Sequence, residues 1–436
     1  MPANRQIATI HKAAELWTTV MRGGEAQLTS IRDAALAVDK EGRVAAVGRA
    51  VEFKNQNAES SIEVIDHGAG IIVPGFVDTH VHCPQIDVIG CGGYPLLSWL
   101  DQFVFPREAK FSDATVATDA ARRLTRELIH SGVTTAAVFS TSHAAAADIL
   151  FAQFESAGLR LISGKTSMDV GAPTNVLQSA RADIEDQETL IKKWHGRAGR
   201  LFYAITPRFA LSCSREMMRA LGDLRERHRG LYVQSHISET RDEVETVRSV
   251  WKDAADYLAV YADHGLLGER CVLAHGIYLT DSELDRMAGS KTSLAHCPTS
   301  NLFLGSGLLN LKRTLAAGVV TGLASDVGAG TSFSPWATML EAYKVQAIQG
   351  NPVSGAQLLY LATQGGADSL ALGHETGSLE VGKRADFVVI DPARRSLLSE
   401  RLAAASSPEE RLFSVITLGD DRVTAGVYVN GLSCHA

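Results

Sequence analysis

His80 and His82 stand one residue apart at the end of the run Ile71-Ile72-Val73-Pro74-Gly75-Phe76-Val77-Asp78-Thr79-His80-Val81-His82. The run is apolar and β-branched, which predicts a strand. A strand alternates its faces, so both imidazoles point one way and Val81 the other. Two neutral imidazoles on one face suit a borderline-soft divalent metal. A chance pair of half-buried histidines is the plain alternative. It loses ground if further ligands close other strands.

They do. Apolar runs end in Gln234-Ser235-His236, in Leu273-Ala274-His275 and in Leu294-Ala295-His296, and a last one ends in Ala324-Ser325-Asp326. Four strands finishing on histidine and a fifth on aspartate is an ordered set, far more informative than any one member. Three histidines and one carboxylate would hold a mononuclear divalent site with room for water. The spacing alone does not say which histidines ligate. Glu239 follows His236 by three residues, close enough to face the site and carry a proton. Its bland reading is a helix-start glutamate favoured by the dipole.

These ends need elements to position them. Strands are expected at 77–82, 134–139, 160–168, 201–206, 231–236, 271–275, 292–296 and 319–325, with helical patterns between. Ser112 is expected to cap a helix carrying Leu124 and Leu128 that Gly132 stops. Ser214 precedes Met217, Leu221 and Leu224, and Thr280 with Glu283 forms a capping box. Eight strands alternating with helices predict an α/β chain with a (β/α)8 TIM-type barrel, its chemistry at the C-terminal strand ends. An open doubly wound sheet is the alternative, but no glycine-rich nucleotide loop follows the first strand. Both ends of the chain read as short strands. Asp39-Lys40-Glu41-Gly42 is a hairpin signal, and 385–390 and 423–429 are strand-like. The expected organisation is a small β-sandwich-like domain formed from both termini (1–70 and 373–436) around a barrel at 71–372.

Composition narrows the function classes. The net charge is −7 and no basic stripe occurs, so phosphate-driven nucleic-acid binding has no footprint. No apolar run approaches the ~20 residues of a membrane span. Residues 1–5 are polar and lack the apolar core of a secretion signal. Six cysteines show no CxxC spacing, which fits reduced thiols in a cytoplasmic enzyme.

The run 74–82, with His236, His275, Asp326 and the tail Gly377-Ser378-Leu379-Glu380-Val381-Gly382-Lys383-Arg384-Ala385-Asp386, resembles the amidohydrolase superfamily. Pro84-Gln85, Pro95-Leu96-Leu97-Ser98-Trp99-Leu100, Phe105-Pro106 with Glu108 and Phe111, the segment 207–214 and the segment 326–333 are similar to its guanine-deaminating members. The resemblance implies a metal-dependent hydrolytic deaminase converting guanine to xanthine and ammonia by zinc-activated water attack at C2. It implies that His80, His82, His236 and Asp326 bind one Zn2+ per chain, with Fe2+ as the other metal these ligands serve. His275 and Glu239, with Asp326, would handle protons. Gln85, Arg208 and Phe209 would contact the purine, and Trp99 would lie over it. The implied assembly is a homodimer.

The superfamily's binuclear members carry a bridging lysine on the fourth strand, and 201–206 has none. One metal is therefore expected, with Lys165 on the third strand structural or supporting. His296 is expected to hydrogen-bond behind the ligands, and Cys83 and Cys297 to be inert. Trp99 has a competing reading as core, and Arg208 as a simple ion pair. The nearest rival function is a related deaminase of 8-oxoguanine, a pterin or a triazine. A non-catalytic barrel scaffold is the rival from another class. The cytidine-type zinc deaminases use His-x-Glu with Pro-Cys-x-x-Cys, and neither spacing occurs.

Overall fold

The structure is a computed structural model that describes residues 6–53 and 62–434. The polar residues 1–5 lie outside the described residues. In chain order the strands are β1 Ile7–Arg22, β2 Glu25–Asp39, β3 Val44–Arg49, β4 Glu63–Asp66, β5 Ile71–Pro74, β6 Phe76–His82, β7 Val133–Phe139, β8 Arg160–Gly164, β9 Thr166–Ser167, β10 Leu201–Pro207, β11 Tyr232–Ile237, β12 Cys271–His275, β13 Ser293–His296, β14 Thr321–Leu323, β15 Phe387–Ile390, β16 Thr424–Val429 and β17 Leu432–Ser433.

Both ends of the chain meet in one eight-stranded sheet, ordered β17-β16-β15-β5-β1-β2-β3, with β4 also paired to β1. The β2–β3 hairpin follows from its turn. Asp39 accepts from the amides of Glu41 and Arg43 at 3.0 and 2.8 Å. Gly42 takes a left-handed φ of +73°, and a side chain there would collide with the Asn430 carbonyl. Alternate residues of β2 face opposite sides. Ala34, Leu36 and Val38 join one apolar cluster, and Ala35 and Ala37 another.

β6, β7, β8 and β10 to β14 pair in parallel in that order, with helices between them. The ring closes between β14 and β6 through loop contacts. Thr79 Oγ1 donates to the Leu323 carbonyl at 2.9 Å, Ser325 N to Asp78 at 3.1 Å, and Asp326 N to the His80 carbonyl at 2.9 Å. This shortens the eighth strand relative to expectation, since Ser325 and Asp326 leave the ladder to bond β6. The third expected strand splits into β8 and β9 around Lys165, whose ammonium turns to pair with buried Asp183. Small side chains such as Ala137, Ala204, Ala274 and Ala295 fill the barrel interior with Ile162 and Leu370.

The helix caps follow sequence with one correction. Ser214 accepts from Met217 N, and Thr280 with Glu283 forms the capping box. The helix Ala114–His130 is capped by Asp113, which accepts from Thr115 N at 2.8 Å. Ser112 instead donates to the Ala109 carbonyl and ends the preceding turn. A carboxylate one residue nearer the helix wins the orphan amide. Met217, Leu221 and Leu224 are buried on one face of Arg215–Arg227. Each such side chain contributes about 1.5–3 kcal/mol of burial. No helix of the described residues is long and apolar enough to cross a membrane.

Candidate active site and metal centre

β6 delivers the first two imidazoles through an irregularity. Its pairing with β7 shifts register between Asp78 and Val81, so one extra residue is inserted where His80 lies. Such bulges re-aim side chains next to active sites. His80 and His82 still converge, their Nε2 atoms 3.0 Å apart. His236, from β11, brings its Nε2 to 3.2 Å from that of His82. Its Nδ1 donates to the Arg208 carbonyl at 2.6 Å, which turns the Nε2 lone pair inward. Asp326 Oδ1 lies 3.3 and 3.4 Å from the Nε2 atoms of His80 and His82.

Electrostatics fit this cluster to a cation. Burial holds His82 at about 3 and His236 well below the ordinary histidine range, so both rings are neutral and offer lone pairs. Burial works against the Asp326 carboxylate, but hydrogen bonds from His80 and His82 outweigh it and hold the pKa well below the usual range. Three imidazole nitrogens within 4.8 Å of one another, beside an ionised carboxylate, form a donor set for a divalent cation. Among the described residues, the groups with this spacing are His80, His82, His236 and His80, His275, Asp326.

The proton-handling side sits against the cluster. His275 Nε2 is 3.4 Å from Glu239 Oε2 and 3.7 Å from Asp326 Oδ2. Its Nδ1 lies 2.9 Å from Asn301 Oδ1, a contact that turns Nε2 inward. Glu239 Oε1 accepts from Ser306 Oγ at 2.8 Å. Burial, then repulsion from Asp326, pushes the Glu239 pKa up to about 8. Glu239 is not itself the cap of the next helix. Thr240 is, in a capping box with Glu243, whose carboxylate also holds the Glu239 amide at 2.7 Å. His275 and Asp326 both take left-handed φ values, +74° and +48°. Non-glycine residues carry such strain mainly at functional sites.

The third group lines the same cavity. Arg208 is nearly buried and gives both Glu108 oxygens a hydrogen bond from Nη1, at 2.6 and 2.8 Å. Burial raises the Glu108 pKa, and Arg208 and then the Gln85 amide work against that rise, while Gln85 Oε1 accepts from Gly328 N at 3.3 Å. Phe209, Leu96, Leu100 and Trp99 supply apolar walls. Trp99 is a cavity wall and a core residue at once. It lines the cavity, yet it is 2% exposed, packs in an apolar cluster with Val104 and Phe105, and donates Nε1 to the Cys91 carbonyl at 2.6 Å. Arg208 is ion-paired and also lines the cavity. A larger open groove beside Arg215–Arg227 lies at the other end of the barrel, where Leu231 and Arg270 precede their strands, far from this chemistry.

The structure thus gathers His80, His82, Gln85, Trp99, Arg208, Phe209, His236, Glu239, His275 and Asp326 around one cavity. His296 departs from expectation. It is buried and burial holds it near 3, yet neither ring nitrogen has a hydrogen-bond partner among the described residues. Asn301 takes the supporting role instead, because it starts one helical turn past β13 and reaches His275. Cys83 and Cys297 are buried thiols with raised pKa values, which leaves them unreactive. Lys165 is a supporting lysine paired with Asp183. Sequence reasoning missed Ser306 and Glu243. The Thr240-x-x-Glu243 capping box was a usable signal for Glu243, and nothing marks Ser306.

With this geometry in place, the comparisons are specific. Residues 71–433 match the amidohydrolase family. The chain belongs to that family of hydrolases. It is 42% identical over 404 residues to the guanine deaminase of Escherichia coli K12, covering 93% of this chain and 91% of that one. The solved E. coli guanine deaminase superposes with a TM-score of 0.95 at 39% identity, covering 98% of this chain and 99% of that one. A guanine deaminase from C. acetobutylicum, solved with guanine in its active site, gives 0.89 at 31% identity over 98% of this chain and all (100%) of that one.

Proposed function

We propose that this chain hydrolyses guanine to xanthine and ammonia, with one zinc ion per chain. The observation that carries the proposal is the single cavity in which a histidine–aspartate cluster and the His275–Glu239 pair face the Arg208–Glu108–Gln85 group. The guanine deaminase relatives support it. His80, His82, His236 and Asp326 would hold the cation, and its Lewis acidity would make a water molecule nucleophilic at neutral pH.

The chain's own groups do the rest. His275 Nε2 and Asp326 orient the attacking water and take its proton as its oxygen bonds to C2 of guanine. Glu239, held protonated by burial, gives a proton to ring N3 as charge builds there. Glu239, now a carboxylate, takes the hydroxyl proton as the C2 carbonyl forms, Asp326 passes the proton taken from water to the leaving amine, the C2–N bond breaks, and ammonia departs. Arg208 and Gln85 donate to the carbonyl side of the base, and Phe209 and Trp99 bound its faces. Gln85 offers only its N–H, because its carbonyl is taken by Gly328.

The barrel carries this chemistry and the terminal sheet braces it, with a cytoplasmic homodimer as the working form. Six unpaired cysteines accord with a reducing compartment. The deciding experiment is ammonia release from guanine, 8-oxoguanine, a pterin and adenine by protein of measured metal content. Guanine should be turned over best, with close to one zinc or iron per chain. A pterin or 8-oxoguanine outrunning guanine would reassign the pocket.

A further inference from the structure

Glu108 is assigned no direct role above toward water, proton or base, yet it is fully buried against Arg208, which lines the site. It ends the helical turn Phe105–Glu108, in the segment that covers the cavity. Its two oxygens are spent on one guanidinium nitrogen, Arg208 Nη1, and on the Gln85 amide. Phe105, three residues before Glu108, stacks its ring under the same guanidinium, 5.2 Å from Cζ to centroid. A carboxylate accepts only, so every group that meets Glu108 must present a donor to it. This fixes which way Gln85 faces. Its oxygen accepts from Gly328 N at 3.3 Å, which leaves its nitrogen for Glu108 and favours that one orientation of the amide. It also cancels the guanidinium charge inside a low-dielectric cavity and leaves the remaining Arg208 donors free.

We propose that Glu108 is the positioning residue that makes the base pocket donor-only, so that it recognises a purine carbonyl and rejects a purine lacking one. The inference rests on the guanine reading above. Glu108 acts through Arg208 and Gln85 and touches no reacting atom. A site with aimed, buried donors leaves them unpaired when the carbonyl is missing, which is costly. Replacing Glu108 by glutamine supplies a competing donor, frees the Gln85 amide to flip, and unfixes Arg208.

The test measures kcat and KM for guanine, and the inhibition constant of 2-aminopurine, which keeps the C2 amine and lacks the carbonyl. Wild-type guanine turnover comes first, and its absence would sink the guanine reading by itself. In Glu108→Gln, kcat/KM for guanine should fall about 10- to 150-fold, mainly through KM, the scale of a lost charged hydrogen bond. The 2-aminopurine constant should move less than about threefold, and bound metal not at all. Glu108→Asp should recover part of the loss. Equal losses for both purines with metal retained would overturn the proposal and leave Glu108 a packing residue.

Removing one partner of a buried pair is destabilising, so a second comparison guards against misfolding. Arg208→Met strands the carboxylate, and adding Glu108→Gln to it relieves that stranded charge. The double variant should melt higher than Arg208→Met and turn over guanine within about threefold of it. A further loss as large as in the wild-type background would show Glu108 acting independently of Arg208, which also overturns the proposal.

Discussion

The cation-facing half of the site is made of strand ends, whereas the base-facing half is made of turns and a covering segment. His80, His82, His236 and His275 sit on β6, β11 and β12, where His82, His236 and His275 lie in paired ladders and His80 at the β6 bulge. Gln85 sits in the short turn Cys83–Val88, and Trp99 and Glu108 in the helical stretch 96–112, which includes the π-turn Leu100–Val104. Arg208 and Phe209 follow β10. The first half is held by backbone and tolerates no translation. The second relies more on side-chain hydrogen bonds, chiefly Glu108 with Arg208 and Trp99 with the Cys91 carbonyl. Rigid placement suits ligands that must meet within about 0.2 Å of ideal geometry. A wall that must open for a purine suits the other arrangement, and π-turns recur at such places.

The sharpest break between the halves is His82→Ala. It removes an Nε2 atom that lies within 3.4 Å of three other candidate donors. Metal should fall well below one equivalent, and guanine turnover should drop at least about 10³-fold, since Lewis-acid stabilisation supplies several kcal/mol. Elemental analysis beside an ammonia assay checks it. Full metal content in this variant would remove His82 from the ligand set.

Glu239→Gln separates chemistry from ligation within the rigid half. Glutamine keeps the shape and can still meet Ser306, but it cannot carry a proton. Metal should stay bound while kcat falls about 10²–10⁴-fold. A near-normal kcat with full metal would reduce Glu239 to a buried carboxylate next to a helix start.

The same contrast explains what was legible in the sequence. Strand-end histidines are readable because alternation and parallel barrel topology leave one answer for where they point. The eight strands and most caps followed for the same reason. Asp113 was missed because two adjacent capping residues differ only in which meets the orphan amide. His296 looked like its neighbours, but an identical strand-end position says nothing about which partners the next helix supplies, and Asn301 went to His275 instead. The covering half was reachable only through family resemblance. Its residues come from separate turns, and no periodicity links Gln85, Glu108 and Arg208 before the chain is folded.

The mildest variant probes the covering half alone. Trp99 Nε1 donates to the Cys91 carbonyl at 2.6 Å, tying the helical cover to the loop before it. Trp99→Phe keeps an aromatic wall beside Leu100 and Phe209 and deletes that one donor. The carbonyl sits in a half-buried loop where water can replace the lost bond, so the net cost should be about 0.5–1.5 kcal/mol. That energy holds the cover closed over bound base rather than forming the site, so KM for guanine should rise about 2- to 10-fold. Metal content should be unchanged and kcat should stay within about twofold, unless opening limits turnover, in which case kcat rises. Steady-state kinetics with metal analysis reads all three. A collapse of kcat or loss of metal in Trp99→Phe would mean that the cover and the strand ends are one rigid unit, and the division drawn between the two halves would fail.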